Sequence, residues 1–279
     1  MAAVTADSFP PRPRKRLTLR RLFASRGLSV VLYALVLWVI IRAALTGAAA
    51  MGYNWQWYRI PGYLFRFTDD GFKLGEIGYG LLASLGLSSL SFVIALLLGL
   101  LVALLRLSGL VVGGALARVF LELVRNIPLL VLLYLFYYVL GPIFGLDRYS
   151  ASILCLGVFH AALVSEIIRA GINSVATGQW EAASSIGMTR GQAYRYIILP
   201  QSVRIMLPPL TSELVNIVKS SAIVSVVGVA EMTTAGRNII SKTYLSFEVW
   251  FTIAAIYLVV TVCISAFASY LESRYSVSP

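Results

Sequence analysis

Charged residues, cysteine and histidine are all scarce in this chain, and each shortage excludes a class of protein. Only 13% of its 279 residues are charged, whereas a soluble domain carries roughly 25%, so a soluble globular fold is excluded. The two cysteines, Cys155 and Cys263, lie within apolar runs and lack metal-ligand spacing, which favours buried thiols over a disulfide or a metal site. Because His160 is the one histidine, no histidine-based metal site or catalytic triad can be assembled.

A phosphate-binding loop is missing as well. The chain contains no Gly-x-x-x-x-Gly-Lys-Ser/Thr sequence, which is the usual cradle for the phosphates of ATP. It also offers no nucleophile with a neighbouring base, so a membrane-embedded enzyme is not supported. We therefore expect a non-enzymatic chain without a metal or cofactor of its own, driven by another subunit or by an ion gradient.

Long apolar runs dominate what is present. Apolar residues make up 59% of the chain, and a run of about 20 is enough for a helix to cross the hydrocarbon core. The runs lack the two-residue alternation of a membrane barrel, and Pro128 should kink the third of them. The sequence therefore predicts an all-α integral membrane protein whose six spans cover about 28–49, 80–105, 115–140, 150–172, 193–218 and 249–270.

The distribution of charge sets the expected orientation. The net charge of +11 could indicate nucleic acid, but seven basic residues lie within 1–28 against one acid, Asp7. Under the positive-inside rule this cluster holds the N-terminus in the cytoplasm, and six spans return the C-terminus to the same side. Ala48-Ala49-Ala50 resembles a signal-peptidase site, so cleavage of the first helix is an alternative. Arg42 and the length of the apolar run favour a retained span instead.

This orientation divides the chain into four parts. We expect a basic cytoplasmic tail over 1–27, followed by the first span and an outer segment over 28–79. The other five spans then lie within 80–272, with a polar cytoplasmic loop at 178–201, and a cytoplasmic tail covers 273–279.

The loop at 178–201 has the local chemistry of a sharp turn between two helices. Residues 180–186 can form about two helical turns that Gly187 ends in a left-handed cap, and Thr189 with Gln192 matches a capping box that starts the next helix. Ala182 and Ala183 would permit close approach of a partner. The stretch therefore predicts a short helix across the membrane surface and a docking site, with an ordinary well-capped loop as the alternative.

Two pairs of opposite charges lie within the predicted spans. An unpaired charge there costs roughly 2.5–3.5 kcal/mol, so each is expected to have a partner. Glu122 with Arg125, and Glu166 with Arg169, are three residues apart and can pair on one helical face. Mutual neutralisation within each pair is favoured over contact with a substrate.

Lys219 is a different case because Glu213, six residues earlier, points about 240° away around a helix. Its partner is then a substrate carboxylate, a carboxylate of another helix or the aqueous boundary. Asn216, Ser220 and Ser221 add hydrogen-bonding groups beside Lys219. These four residues are a candidate substrate path, with a purely structural role as the alternative.

Four further patterns are spaced along the chain. The first is Glu181-Ala-Ala, Gly187 and Ile197-x-Leu199-Pro200. The other three are Glu122-x-x-Arg125-x-x-Pro128-Leu-Leu, Ser165-Glu-Ile-Ile-Arg169-Ala-Gly171 and Lys219-Ser-Ser-Ala-Ile. The first matches the EAA signature of ABC importer permeases, and the four in this order resemble the polar amino acid uptake family of those permeases. The resemblance covers about 80–270, and within the family the chain is most similar to the glutamate/aspartate-type permeases.

The resemblance implies a type I ABC importer permease fold in the bacterial cytoplasmic (inner) membrane, with a five-helix core and an extra N-terminal helix. In this family the EAA loop is a coupling helix that fits a groove of a cytoplasmic ATPase. The resemblance therefore assigns contact with the ATPase to Gly178, Glu181, Ala182, Ala183 and Gly187. ATP and Mg would be held by that partner and not by this chain.

The partners implied are an ABC ATPase dimer, a second permease chain, either identical or related, and a periplasmic amino acid binding protein. Membrane lipid completes the set, and nucleic acid is not expected. The implied substrate is glutamate/aspartate, or glutamine/asparagine. The rival hypothesis is an ion-coupled secondary transporter with broken helices, which Pro128, Pro200 and Pro208-Pro209 suggest, although no internal repeat is visible.

Overall fold

The computed structural model describes residues 26–68 and 71–275 in two units, 1–55 and 56–279. The first unit contains helix α1 (Arg26–Ala50), which is apolar and exposed along its length. Its 25 residues extend about 37 Å, which is enough to cross a bilayer. Most of the predicted tail at 1–27, and the end of the predicted tail at 273–279, lie outside the described residues.

The second unit begins with small elements. A 3₁₀ turn (Trp57–Arg59) leads to a single helical turn, α2 (Pro61–Leu64). An antiparallel hairpin of β1 (Phe65–Thr68) and β2 (Gly71–Leu74) follows. The sequence did not predict these strands, because four-residue strands give too short an alternation to stand out.

Helices of very different lengths make up the rest of this unit. In chain order they are α3 (Glu76–Leu107), α4 (Val111–Asn126), α5 (Leu129–Tyr134), a π-helical segment (Leu135–Leu140), α6 (Gly141–Phe144), α7 (Arg148–Asn173), α8 (Thr177–Ser185), α9 (Arg190–Ala193), a second π-helical segment (Tyr194–Ile198), α10 (Leu199–Ser220), a 3₁₀ segment (Ser221–Val227), α11 (Met232–Thr243) and α12 (Ser246–Tyr275). Among the described residues, five helices are long and apolar enough to cross a membrane, and a bent pair would make a sixth. The prediction of an all-α membrane protein is confirmed.

The predicted third span is wrong in detail, because it is broken and not merely kinked. Val111–Asn126 and Leu129–Phe144 meet at an angle of 106°. Ile127, the residue before Pro128, is extended at φ −95° and ψ 126°, as the proline ring disfavours a helical conformation there. Pro128 itself also has a non-helical ψ of 138°, so two consecutive residues leave the helix.

The region between the predicted fifth and sixth spans is helical. It contains the 3₁₀ segment and the twelve-residue helix α11. The side chain of Glu231 caps α11 by accepting hydrogen bonds from the backbone N–H groups of Thr233 and Thr234, at 2.8 and 2.7 Å. Glutamate is not among the preferred N-cap residues, so the start of this helix was not visible in the sequence.

Helix α7 lies at the centre of the second unit. Of its spanning stretch 67% is buried, against 11% for α12. Gly99 of α3 and Gly157 of α7 let the two helices approach closely, because an added Cβ would lie 2.6 Å from Val164 and from Ile94 respectively. Small residues at such positions are typical of helix packing in membranes.

Both cysteines are free thiols. Cys155 is fully buried in a core cluster with Leu133, Leu156 and Val224, which confirms the prediction for this residue. Cys263 is exposed on α12, so the prediction of a buried thiol is wrong there. Its helix presents most of its spanning stretch outward, and apolar sequence cannot distinguish a surface that faces lipid from a core.

Candidate functional site

The polar loop folds as its local chemistry predicts. Helix α8 ends in a Schellman motif, in which Gly187 adopts a left-handed φ of +77°. The N–H of Gly187 donates to the carbonyl of Ser184, and the N–H of Met188 donates to the carbonyl of Ala183, both at 3.0 Å. This pair of bonds satisfies carbonyls that the end of a helix leaves free.

The next helix begins with the predicted capping box. The N–H of Gln192 donates to Thr189 Oγ1 at 3.3 Å, and the N–H of Thr189 donates to Gln192 Oε1 at 2.8 Å. Trp180 of α8 packs edge-on against Tyr194, with ring centroids 4.8 Å apart. This aromatic pair joins α8 to the π-helical segment that leads directly into α10.

Four of the five residues assigned to ATPase contact lie on the surface. Gly178, Glu181, Ala182 and Gly187 are exposed, whereas Ala183 is 1% exposed and packs within the chain. In the described part of the chain the Glu181 carboxylate has no ion pair or hydrogen bond. The surface around α8 therefore presents an uncompensated negative charge among small residues.

The sequence prediction missed one residue of this surface. Ile186, directly before the Gly187 turn, has 71% of its surface exposed. An exposed branched apolar side chain on the same short loop as the exposed Glu181 suits a partner groove better than water. The sequence feature that could have identified Ile186 is an isoleucine within a polar stretch, at the position where the helix ends.

Glu166 lies at the centre of a cluster of arginines from three helices. Arg169, one turn away on α7, reaches it at 2.8 Å, which confirms the predicted pair. Arg106 of α3 hydrogen-bonds the other carboxylate oxygen, and Arg125 of α4 lies 3.8 Å from that oxygen. The Glu166 carboxylate therefore links α3, α4 and α7 through these three arginines.

The other predicted pair is wrong. Among the described residues Glu122 has no ion pair with Arg125; its carboxylate accepts a hydrogen bond from Asn126 at 3.0 Å instead. Arg125 turns toward Glu166 on the neighbouring helix. Spacing along a helix shows which side chains can meet, but it does not show which partner a neighbouring helix offers.

We expect Glu166→Gln to lower the free energy of unfolding by about 2 kcal/mol, between the values for exposed and buried ion pairs. The substitution removes the charge that offsets three guanidinium groups. Glu122→Gln is the matched control, since Glu122 has only its bond from Asn126, and its loss should stay within about 0.5 kcal/mol. Titration of the purified chain with SDS in mixed micelles measures both. Equal losses in the two variants would contradict the role of the arginine cluster.

A buried pair between α7 and α10 was not predicted. His160 Nδ1 lies 2.5 Å from Glu213 Oε1, and the two side chains are 3% and 6% exposed. The side-chain amide of Asn216 donates to the second carboxylate oxygen at 3.1 Å. The signal in the sequence was a lone histidine and a glutamate within apolar runs, but nothing local connects residues 53 positions apart.

The structure separates the four residues of the candidate substrate path. Asn216 bonds to Glu213, and the buried Ser221 hydroxyl donates to the carbonyl of Val218 at 2.7 Å. Ser220 is half-buried. Lys219 is exposed, and in the described part of the chain it has no ion pair or hydrogen bond.

Lys219 lines a cavity of about 370 Å³ between α10 and α12. Thr261, Ser265 and Ser269 of α12 lie on the opposite wall, one turn apart from each other. The cavity therefore combines one free cation with a row of hydroxyl groups. Of the four predicted residues, Lys219 is the one that lines it.

Two carboxylates outside the spanning segments are held at helix N-termini. Hydrogen bonds from Ser150 and Tyr149 lower the pKa of Asp147, which caps α7. Burial raises the pKa of Glu231, which is fully buried and also lies 3.3 Å from the hydroxyl of Ser84. Both groups fix helix ends, and neither lines the cavity beside Lys219.

Comparison with known proteins agrees with this architecture. The family described as "binding-protein-dependent transport system inner membrane component" matches residues 95–277. The probable glutamine ABC transporter permease protein GlnM of Bacillus subtilis (strain 168) is 40% identical over 212 residues, covering 75% of this chain and 94% of the relative. The glutamate/aspartate import permease protein GltJ of Escherichia coli (strain K12) is 32% identical over 240 residues, covering 80% and 96% respectively.

Solved structures are similar as well. A crystal structure of an amino acid ABC transporter with histidines has 41% identity and a TM-score of 0.68, covering 71% of this chain and 94% of that chain. The inward-facing methionine ABC transporter MetNI, at 21% identity and a TM-score of 0.62, has the same fold. Five candidate spans with one bent helix pair, an EAA loop folded as a capped helical turn and a family match over residues 95–277 all agree. This chain belongs to the family of binding-protein-dependent transport system inner membrane components and is a permease of the type I ABC importer fold.

Proposed function

We propose that this chain is the permease subunit of an ATP-driven importer of polar amino acids, with glutamate, aspartate, glutamine or asparagine as the substrate. The observation that carries the proposal is the exposed Glu181 on the short helix α8, whose carboxylate has no partner among the described residues. Names of relatives support the substrate class, since they include glutamine and glutamate/aspartate permeases. A separate ATPase supplies the energy, because the chain lacks a phosphate-binding loop.

In this proposal the α8 loop faces the cytoplasm, as do both termini, in the inner membrane. The Glu181 surface binds a groove of the ATPase, which holds ATP and Mg. The Trp180–Tyr194 contact then passes movement of α8 into α10. A second permease chain, identical or related, completes the pore, and a periplasmic binding protein delivers the amino acid.

Reconstitution of the chain with its ATPase and binding protein in proteoliposomes tests the proposal. We expect uptake of a radiolabelled polar amino acid that requires ATP on the ATPase side. The broken third span is a feature of ion-coupled secondary transporters as well. Uptake by this chain alone, driven by a sodium or proton gradient, would replace the proposal with that second function.

We further propose that Lys219 binds the substrate carboxylate in the cavity beside α12. A hydrogen bond to a charged group contributes about 1.5–3 kcal/mol, so Lys219→Gln should raise the KM for uptake at least about tenfold. Lys242→Gln is the matched control, because Lys242 is a well-exposed lysine that lies 3.9 Å from Glu76. An unchanged KM and unchanged substrate-stimulated ATPase activity in Lys219→Gln would contradict this role.

A further inference from the structure

The β1–β2 hairpin separates apolar from basic side chains on its two faces. In its register Phe65 pairs with Leu74, Arg66 with Lys73, and Phe67 with Phe72. Directly paired residues of an antiparallel hairpin lie on the same face, and neighbours along a strand lie on opposite faces. One face therefore carries three phenylalanines, here called the aromatic face, and the other carries Arg66 and Lys73.

The aromatic face is not covered by the part of the chain that the structure describes. Phe67 is 79% exposed, and Phe72 and Phe65 are also exposed. The three rings cluster, with centroids 5.7–6.3 Å apart. Isolated exposed apolar residues are normal on protein surfaces, but a contiguous aromatic patch indicates a contact surface. A two-stranded hairpin is also marginally stable in water by itself, so a cover for this face would stabilise it.

The hairpin is attached closely to the start of a membrane span. The N–H of Gly75 donates to the carbonyl of Leu64 at 2.8 Å. Gly75 and Gly78, at the start of α3, approach this backbone so closely that an added Cβ would lie 2.2 Å from the carbonyl oxygen of Tyr63 and 2.7 Å from that of Leu64. The hairpin therefore has little freedom to move away from the end of α3.

Other aromatic residues lie at the same end of the molecule. Trp57 contacts Phe251, with ring centroids 6.5 Å apart, near the start of the span α12. Tyr79 at the start of α3 and Trp250 are exposed. Amphipathic aromatic side chains at the ends of spans are typical of the interface between hydrocarbon and water. The aromatic face therefore lies at the same end of the unit as exposed aromatic residues at the starts of α3 and α12.

We propose that the hairpin lies in the lipid interface, with its aromatic face toward the acyl chains and Arg66 and Lys73 toward lipid phosphates and water. Interfacial segments have this division between aromatic and basic side chains. Lipid is favoured over a docking protein because the aromatic face is attached to the start of the span α3 and lies near the exposed Tyr79 and Trp250. The proposal depends on α3 crossing the membrane and not on the identity of the substrate.

Spin labels on the two faces of the hairpin test this proposal. Phe67→Cys and the matched control Arg66→Cys are labelled in a Cys263→Ser background, where the remaining Cys155 is fully buried. In vesicles of phosphatidylcholine and phosphatidylglycerol, the label at 67 should be roughly threefold more accessible to oxygen than to a polar nickel chelate, and the label at 66 should show the reverse. Phe72→Cys, on the same face, provides a second position if the first variant does not fold.

Two results would overturn the proposal. Equal access of the nickel chelate to labels at 66 and 67 would show that the aromatic face lies in water. A label at 67 that is open to the chelate alone, and protected after addition of the binding protein, would identify a protein partner instead of lipid.

Discussion

Replacing Glu181 with lysine should reduce ATP-driven uptake by at least about tenfold while leaving the chain folded in the membrane. The carboxylate is exposed and has no partner in the described part of the chain, so its loss removes no internal contact. A partner that neutralises this charge would instead meet a cation. Reversing one member of a desolvated interfacial pair costs about 2–5 kcal/mol, and 1.4 kcal/mol is already tenfold in affinity.

Two measurements separate coupling from folding in this variant. Retention of the ATPase during affinity purification should fall with uptake, while unfolding in SDS should be unchanged. Gln179→Lys is the matched control, because Gln179 is also exposed on α8 and the two variants introduce the same side chain on the same short helix. If Gln179→Lys and Glu181→Lys reduced uptake equally, added positive charge and not the glutamate would be the cause.

An exposed apolar residue at the end of α8 gives the proposed interface a second component. Ile186 is 71% exposed beside the Gly187 turn, and interfaces combine an apolar centre with polar groups at the rim. Ala183, by contrast, is buried and accepts the Schellman bond from Met188 at its carbonyl. The EAA motif therefore serves two purposes: its glutamate and first alanine face outward, and its second alanine holds the turn.

The coupling turn was predictable because its chemistry is local. Gly187 ends α8 with its positive φ, and Thr189 and Gln192 form the capping box within the next five residues. The local sequence therefore contains the information that determines this turn. The spans were predictable for a related reason, since length and apolarity decide whether a helix can cross a bilayer. The 106° break at Ile127-Pro128 was only partly visible, because a proline predicts a distortion without its size.

The polar contacts between helices were not predictable from one sequence. Arg106 and Arg125 both turn to Glu166, and this choice depends on how α3, α4 and α7 pack. The distance between α3 and α7 depends in turn on two contacts, Gly99 with Val164 and Gly157 with Ile94. Nothing in the sequence indicates that these residues are in contact. The same limit applies to His160, whose partner lies on α10.

His160→Leu should lower the free energy of unfolding by about 3–5 kcal/mol, because it leaves the buried Glu213 carboxyl group without the imidazole that it contacts. Glu213 is 6% exposed and would retain only the bond from Asn216. Replacing both members of a buried pair by apolar residues of similar volume is often close to neutral. The double variant, His160→Leu with Glu213→Leu, should therefore regain most of the stability that the single variant loses.

Unfolding of the purified single and double variants by SDS in mixed micelles measures this difference. Ser152→Ala is the matched control on α7, because the buried Ser152 hydroxyl bonds only to the carbonyl of Arg148 in its own helix, and its loss should stay near 1 kcal/mol. A double variant as unstable as His160→Leu would contradict a stabilising contact between the two side chains and point to packing instead. If the double variant is stable but transports no amino acid, then the pair links α7 to α10 for the transport cycle and not for folding.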